Sequence, residues 1–230
     1  MADIDHAPHD VLAQLAESEA RMRAIVTPLA EVDLSLASAL PGWSLAHLLT
    51  HFARNADSHV RRIEGARRGE VVDQYEGGAE GRERQIEEGA TRDAASIVDD
   101  TIESSVRLDA AWWTVKGDEW LGQSRDAGGK IRRVRDLPAR RLQEVEVHIL
   151  DLDLGYDQRE WSDLFLALFL EPMRTQVPYR VPDGQPVPAP EAFADVSPRD
   201  ELAWLYCRRQ LAGFPDLLAL GETNSNAPRD

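Results

Sequence analysis

The feature that most constrains the fold of this chain is a helical spacing of apolar residues in four separate stretches. Within each stretch, apolar side chains recur every three or four residues, which is the period of an amphipathic helix. The four stretches are 8–31, 45–68, 93–116 and 134–153. Connections of unequal length join them, so the sequence predicts an antiparallel four-helix bundle. Facing helices of such a bundle can present ligand side chains to a shared interior site.

Glycines mark two of the connections. Residues 77–81 contain three glycines, and we expect them to break the regular pattern. Residues 117–132 contain four glycines, which is typical of a long loop. The adjacent pair Gly128 and Gly129 favours a short β-hairpin within that loop.

The C-terminal third is expected to form a separate, smaller part. The predicted elements are an apolar helix over 160–176, a proline-rich stretch over 178–198 with room for one or two short strands, and a last helix over 199–220. Cys207 is expected in the apolar core of that last helix. The predicted fold class is mostly α, a four-helix bundle with a small C-terminal helical or α/β appendage. Its parts are the bundle over 1–157, the C-terminal domain over 158–222 and a disordered tail over 223–230.

Composition excludes several classes of function. The formal net charge of −15 disfavours nucleic acid as a partner. No apolar run approaches the roughly 18–20 residues of a membrane span, so we expect no membrane partner. The single cysteine leaves His, Asp and Glu as the ligands for any metal site. The first residues lack the basic start and apolar stretch of a signal peptide, so we expect a cytoplasmic protein. We further expect a monomer or homodimer that acts on a small molecule.

The second predicted helix carries a row of four polar side chains at a spacing of four residues. They are His47, His51, Asn55 and His59. On a helix this spacing puts them on one face. His47 and His51 alone could hold a metal ion. The alternative is that these histidines are ordinary polar residues of a partly exposed face, and the segment by itself leaves both interpretations open.

The segment that contains Glu144 and His148 is compatible with two structures. Residues 144–149 alternate in polarity, which suits a strand with Glu144, Glu146 and His148 on one face. A helix is favoured because the segment continues from Leu142 without a turn signal, and it would also place Glu144 and His148 on one face.

A metal site follows if the second and fourth predicted helices face each other. His51, Glu144 and His148 would then supply two imidazoles and one carboxylate. This set suits a divalent metal ion that keeps open coordination positions. Asp151, further along the same helix, is expected at the surface or as a feature of the helix end.

Several segments resemble a known family. They are Gly42-Trp43-Ser44, His51-Phe52-Ala53-Arg54-Asn55-Ala56 and the run from Arg141 to Leu152. They are similar to the mycothiol-dependent maleylpyruvate isomerase family of the DinB-like superfamily. The family pattern is a histidine on the second helix and Glu-x-x-x-His on the fourth. His51, Glu144 and His148 occupy those positions.

The resemblance implies a DinB-like bundle in which His51, Glu144 and His148 are the metal ligands and the catalytic centre. The implied cofactors are zinc or another divalent metal, with mycothiol as the thiol cosubstrate. Asn55 matches a family position near the site, and Arg54 and Arg141 are candidates for binding the thiol or a substrate carboxylate.

The expected function is a thiol-dependent isomerase or S-transferase that acts on a small electrophilic, carboxylate-bearing substrate such as maleylpyruvate. In both reactions a thiolate adds to an electrophilic carbon. Two alternatives stay open. One is a metal-dependent hydrolase that uses bound water, and the other is a non-enzymatic metal- or ligand-binding protein.

Overall fold

A computed structural model describes residues 6–227 of the chain. The helices of eight residues or more, together with one shorter helix, are α1 His9–Val26, α2 Leu45–Arg67, α3 Gly78–Gly89, α4 Ala94–Trp112, α5 Leu137–Asp151, α6 Asp163–Arg174, α7 Val177–Arg180 and α8 Pro198–Leu205. Two three-residue strands, β1 Gln123–Arg125 and β2 Ile131–Arg133, pair antiparallel. The predicted mostly α fold is confirmed, and the hairpin lies where the glycine pair indicated.

The chain divides into two compact units, with the boundary between Leu154 and Gly155. The first unit is the bundle. Within it α2 packs along α4 and α1 packs along α5, while α2 also contacts α5 and α1 contacts α4. The four helices that the apolar period predicted therefore enclose one core. Its centre is filled by side chains with no exposed surface, among them Met22, Leu48, Leu49, Leu108, Leu142 and Val145.

Ser44 begins α2 as an N-cap. Its Oγ accepts a hydrogen bond from the backbone N–H of His47, and the Nδ1 of His47 accepts one from the backbone N–H of Ser44. This reciprocal arrangement satisfies two backbone donors that a helix start leaves unpaired. The imidazole of His47 is therefore engaged in capping the helix that carries His51.

Residues 137–151 form α5, which decides between helix and strand for the segment that contains Glu144. The apolar row Leu142, Val145 and Ile149 is fully buried at helical spacing. Glu146, whose alternation with Glu144 suggested a strand, is also buried because α1 supplies partners to it. Arg21 Nη1 lies 3.1 Å from its carboxylate, and the Ser18 hydroxyl also contacts that carboxylate.

The expected break between helices is present at Gly77, but it does not extend over residues 78–81, because α3 begins at Gly78. Gly77 and Gly78 have positive φ and turn the chain into the helix. Gly81 allows the close approach of the preceding loop, since a Cβ there would lie 1.9 Å from the Glu76 carbonyl oxygen. Ile86 is the only other residue of α3 that is buried. The sequence of this helix therefore lacks the recurring apolar residues from which a helix can be predicted.

The second unit contains α6, α7 and α8 joined by turns and irregular segments, and its described residues 155–227 include no strand. The predicted strands in the proline-rich stretch are therefore wrong. The last helix ends at Leu205 and does not continue to 220. Cys207 follows it with a φ of 59° and is exposed, so its expected core position is also wrong. Residues 228–230 of the predicted tail lie outside the described residues.

Within residues 6–227, no helix combines the length and apolar character that a membrane span requires.

Candidate metal centre

The structure brings His51, Glu144 and His148 together. Their ligand atoms all lie within 4.8 Å of one another. Nε2 of His51 lies 2.9 Å from Oε2 of Glu144, and Nε2 of His148 lies 3.5 Å from the same oxygen. The His51 side chain is almost fully buried, whereas 35% of the Glu144 side chain is exposed. The three ligands therefore converge on one point that solvent can reach.

Asp151 holds the imidazole of His148 in place. Its Oδ2 lies 2.8 Å from Nδ1 of His148, one helical turn away on α5. Asp151 is buried, so the surface alternative is wrong, and it is the last residue of α5, as the helix-end alternative predicted. A carboxylate on Nδ1 fixes the ring orientation and leaves Nε2 free to face Glu144, which is the usual support of a metal-ligating histidine.

His51 has two neighbours that complete its surroundings. Nη2 of Arg82 lies 3.1 Å from Nδ1 of His51, and the ring of Trp43 packs edge-on with its centroid 5.5 Å away. Arg82 also lies over the Trp43 ring, 5.7 Å from its centroid. The sequence analysis missed Arg82 because this residue belongs to α3, and the glycines of that segment predicted a break where the helix lies.

Burial and mutual contact shift the pKa of each ligand. Burial lowers the pKa of His51 to about 4, against the opposing hydrogen bond with Glu144. Burial would raise the pKa of Glu144, but hydrogen bonds from His148 and His51 outweigh it and hold that pKa well below its usual range. Burial likewise opposes protonation of His148, yet contacts with Asp151 and Glu144 raise its pKa. The carboxylate is thus ionised at neutral pH and ready to act as a ligand.

Asn55 and Arg141 lie in a buried network beside the triad. The guanidinium of Arg141 donates from Nε to Oε1 of Glu19 at 2.6 Å, and from Nη1 to the Phe52 carbonyl at 3.0 Å and to Oδ1 of Asn55 at 2.9 Å. Arg141 and Glu19 are 1% and 0% exposed. These contacts connect α5 to α1 and α2, and a role for Arg141 in ligand binding stays a prediction.

Arg54 is placed on another side of α2. Its Nη2 donates to both carboxylate oxygens of Asp100, at 2.7 and 2.8 Å, and lies 3.1 Å from Asp57. The structure therefore does not bring it to the triad, and its predicted contact with thiol or substrate stays a prediction.

A cavity of about 430 Å³ borders the triad at Glu144. Asn55 and His59 line it, so two of the four members of the polar row predicted on α2 contribute to its wall. His59 is buried, its Nδ1 has no hydrogen-bond partner among residues 6–227, and burial holds its pKa well below 6.5. A small molecule in this cavity would lie against the exposed side of Glu144.

The first unit is a helical bundle that carries a triad of two histidines and one glutamate, and this defines the class of protein as a helical bundle with a candidate metal site. The sequence profile of the family described as "Mycothiol maleylpyruvate isomerase N-terminal domain" matches residues 15–153, and the chain belongs to this family. The resemblance stated from sequence is therefore confirmed. The family is that of an enzyme, so the prediction of an enzyme is confirmed at that level.

Two crystal structures share the fold. One is of the mycothiol-dependent maleylpyruvate isomerase, at 20% identity and a TM-score of 0.75, and the other is of a point mutant of it, at 18% and 0.76. Each alignment covers 87% of this chain and 89% of the other. A search of functionally curated proteins found no match.

Proposed function

We propose that the chain is a metal- and mycothiol-dependent isomerase, or an S-transferase of the same chemistry, that acts on a small electrophilic, carboxylate-bearing substrate such as maleylpyruvate. The observation that carries the proposal is the convergence of His51, Glu144 and His148 within 4.8 Å beside a cavity. Membership of the isomerase family supports it.

The donor set fits zinc or a similar divalent ion. Two imidazole nitrogens and one carboxylate oxygen are ligands that zinc uses in catalytic sites, where a further position stays open. His51, Glu144 and His148 would hold the ion, while Asp151 orients His148 through Nδ1. A bound ion would act as a Lewis acid that lowers the pKa of a thiol or water molecule at the open position.

The reaction itself needs only a thiolate and a conjugated substrate. The thiolate adds to one carbon of a cis double bond, and the displaced electron pair moves onto the neighbouring carbonyl group. The former double bond is then a single bond and can rotate, and elimination of the same thiolate gives the trans product and restores the thiolate. In an S-transferase the displaced electron pair instead takes up a proton at carbon, so the thiolate is not eliminated and the thioether is retained. The chain would contribute positioning, because a substrate bound in the cavity would lie against the exposed side of Glu144.

The metal site is tested by elemental analysis of the purified protein. We expect close to one divalent ion per chain in the wild type and strong loss in His51→Ala, Glu144→Ala and His148→Ala. His9→Ala is the matched control, because His9 is exposed and lies on α1 outside the triad. Metal content near zero in the wild type, or unchanged in all three ligand variants, would refute the site.

The reaction is tested by following maleylpyruvate with and without mycothiol. Isomerisation or thioether formation that requires mycothiol, and that is lost in the three ligand variants, supports the proposal. Turnover that proceeds equally without thiol would favour a hydrolase with water as the nucleophile. A protein that binds metal yet turns over neither substrate nor thiol would instead be a non-enzymatic ligand-binding member of the family.

A further inference from the structure

The cavity beside Glu144 is positively charged although the whole chain carries a net charge of −15. Four cationic and two anionic side chains line it: Arg62, Lys130, Arg132, Arg140, Asp126 and Glu144. Arg132 is paired with Asp126 at 2.8 Å, so that carboxylate is already engaged. The surplus is therefore cationic, and a cavity of this kind concentrates anions.

Arg62 is the unusual member of this set. It is 1% exposed, yet its Nε has no hydrogen-bond partner and its guanidinium has no ion-pair partner among residues 6–227. Burial lowers its pKa to about 10, so it stays charged at neutral pH. A buried charge without a partner is costly, and proteins otherwise pair such groups. The unmatched guanidinium indicates that a ligand completes its environment.

The position of Arg62 on α2 relates it to the triad. His51, Asn55, His59 and Arg62 follow one another at intervals of four, four and three residues, which keeps them on one face of the helix. Asn55, His59 and Arg62 line the same cavity as Glu144. A molecule held by Arg62 would thus extend toward the triad.

We propose that Arg62 is the anion-binding residue of this cavity and that it takes the carboxylate of a small organic acid. A planar guanidinium can donate two parallel hydrogen bonds to a carboxylate, which supplies both energy and orientation. The proposal rests on the proposed function for the class of substrate, and it assigns to Arg62 the carboxylate contact that the sequence had suggested for Arg54 or Arg141.

The test is calorimetric titration of the full chain with maleate, a stable dicarboxylate, and with maleamide, its uncharged diamide. We expect the wild type to bind maleate and not maleamide. Arg62→Met should weaken maleate binding about ten- to hundred-fold, the range of a hydrogen-bonded charge contact. Arg61→Met is the matched control, because Arg61 is the neighbouring exposed arginine. It should bind maleate as the wild type does.

Thermal unfolding separates a ligand-binding role from a structural one. Without maleate, Arg62→Met should unfold at the same or a higher temperature than the wild type, because it removes an unmatched buried charge. The rise in unfolding temperature that maleate gives the wild type should be absent in this variant. A structural arginine would behave oppositely, with a lower unfolding temperature and unchanged maleate binding.

Two further outcomes test the proposed role of Arg62. Should Arg62→Met fail to fold, Arg62→Lys keeps the charge without the planar fork, and wild-type maleate affinity in that variant would overturn the proposal. Absence of maleate binding to the wild type would overturn it as well. Metal content measured on the same samples is independent, so a wild type without metal that still binds maleate through Arg62 would remove the proposed function alone.

Discussion

Replacing Glu19 with leucine should destabilise the bundle by about 3–5 kcal/mol, because the buried Arg141 guanidinium then loses its counter-charge. The two side chains are 0% and 1% exposed, and Nε of Arg141 lies 2.6 Å from Oε1 of Glu19. Unit charges about 4 Å apart attract by about 4 kcal/mol at an effective dielectric constant of 20. The Ser105 hydroxyl, which donates to Oε2 of Glu19 at 2.6 Å, also loses its acceptor. Such a loss is a large part of the stability of an ordinary domain.

The assay is urea unfolding of the wild type, Glu19→Leu, Arg141→Met and the double variant. Each single variant should lose about 3–5 kcal/mol, since each leaves one buried charge alone. The double variant should recover most of that loss, because apolar side chains of similar volume replace the pair. A loss below about 1 kcal/mol in both single variants, or a double variant whose loss equals the sum of the two, would refute the reasoning.

Three further predictions concern other parts of the chain. Burial holds the pKa of His59 well below 6.5, so below that pH the unfolded state binds more protons than the folded state. The free energy of unfolding should therefore fall as the pH is lowered, by at most about 1.4 kcal/mol per pH unit. Urea unfolding at several pH values should show a flatter pH dependence for His59→Gln than for the wild type. Gly81→Ala should cost about 1–3 kcal/mol in the same assay, because its Cβ would lie 1.9 Å from the Glu76 carbonyl oxygen; an unchanged midpoint would contradict that contact. Cys207 should react with a thiol reagent in the folded protein, and reaction only after unfolding would contradict its exposed position.

The bundle could be predicted because its helices bury apolar rows along one face. The predicted C-terminal ends of the helices were less accurate where the last turn of a helix changes its geometry. The first predicted helix ends as α1 at Val26 and continues as a 3-10 turn over Thr27–Glu31. The third ends at Trp112, short of residue 116. Helix ends depend on local hydrogen bonds that an apolar period does not record.

The helix α3 could not be predicted by the same reasoning, because its contacts with α2 use backbone proximity more than apolar side chains. A Cβ on Gly89 would lie 2.5 Å from the methyl group of Thr50, so small size is what allows the approach. Glycine is a poor helix former in an isolated helix, whereas at this position of the folded bundle its small size permits packing. Because α3 was not predicted, the position of Arg82 beside His51 could not be predicted either.

The candidate site was predictable in its ligands and not in its surroundings. His51, Glu144 and His148 share residue types and spacing that point to a metal, so the sequence alone could nominate them. The partners of arginines depend on which helices meet. Arg141 faces a glutamate more than a hundred residues away, and Arg62 faces a cavity, and neither arrangement has a local signature.

The edge-on packing of Trp43 against His51 gives the candidate centre an optical reporter of its own. Indole emission responds to the polarity and charge around the ring, and a paramagnetic ion such as Cu²⁺ quenches it at short range. Copper(II) also binds imidazole and carboxylate sites strongly. Titration of the purified chain with Cu²⁺ would therefore be visible in its fluorescence, and substitution of Trp43 by phenylalanine would show how much of that signal arises at the triad.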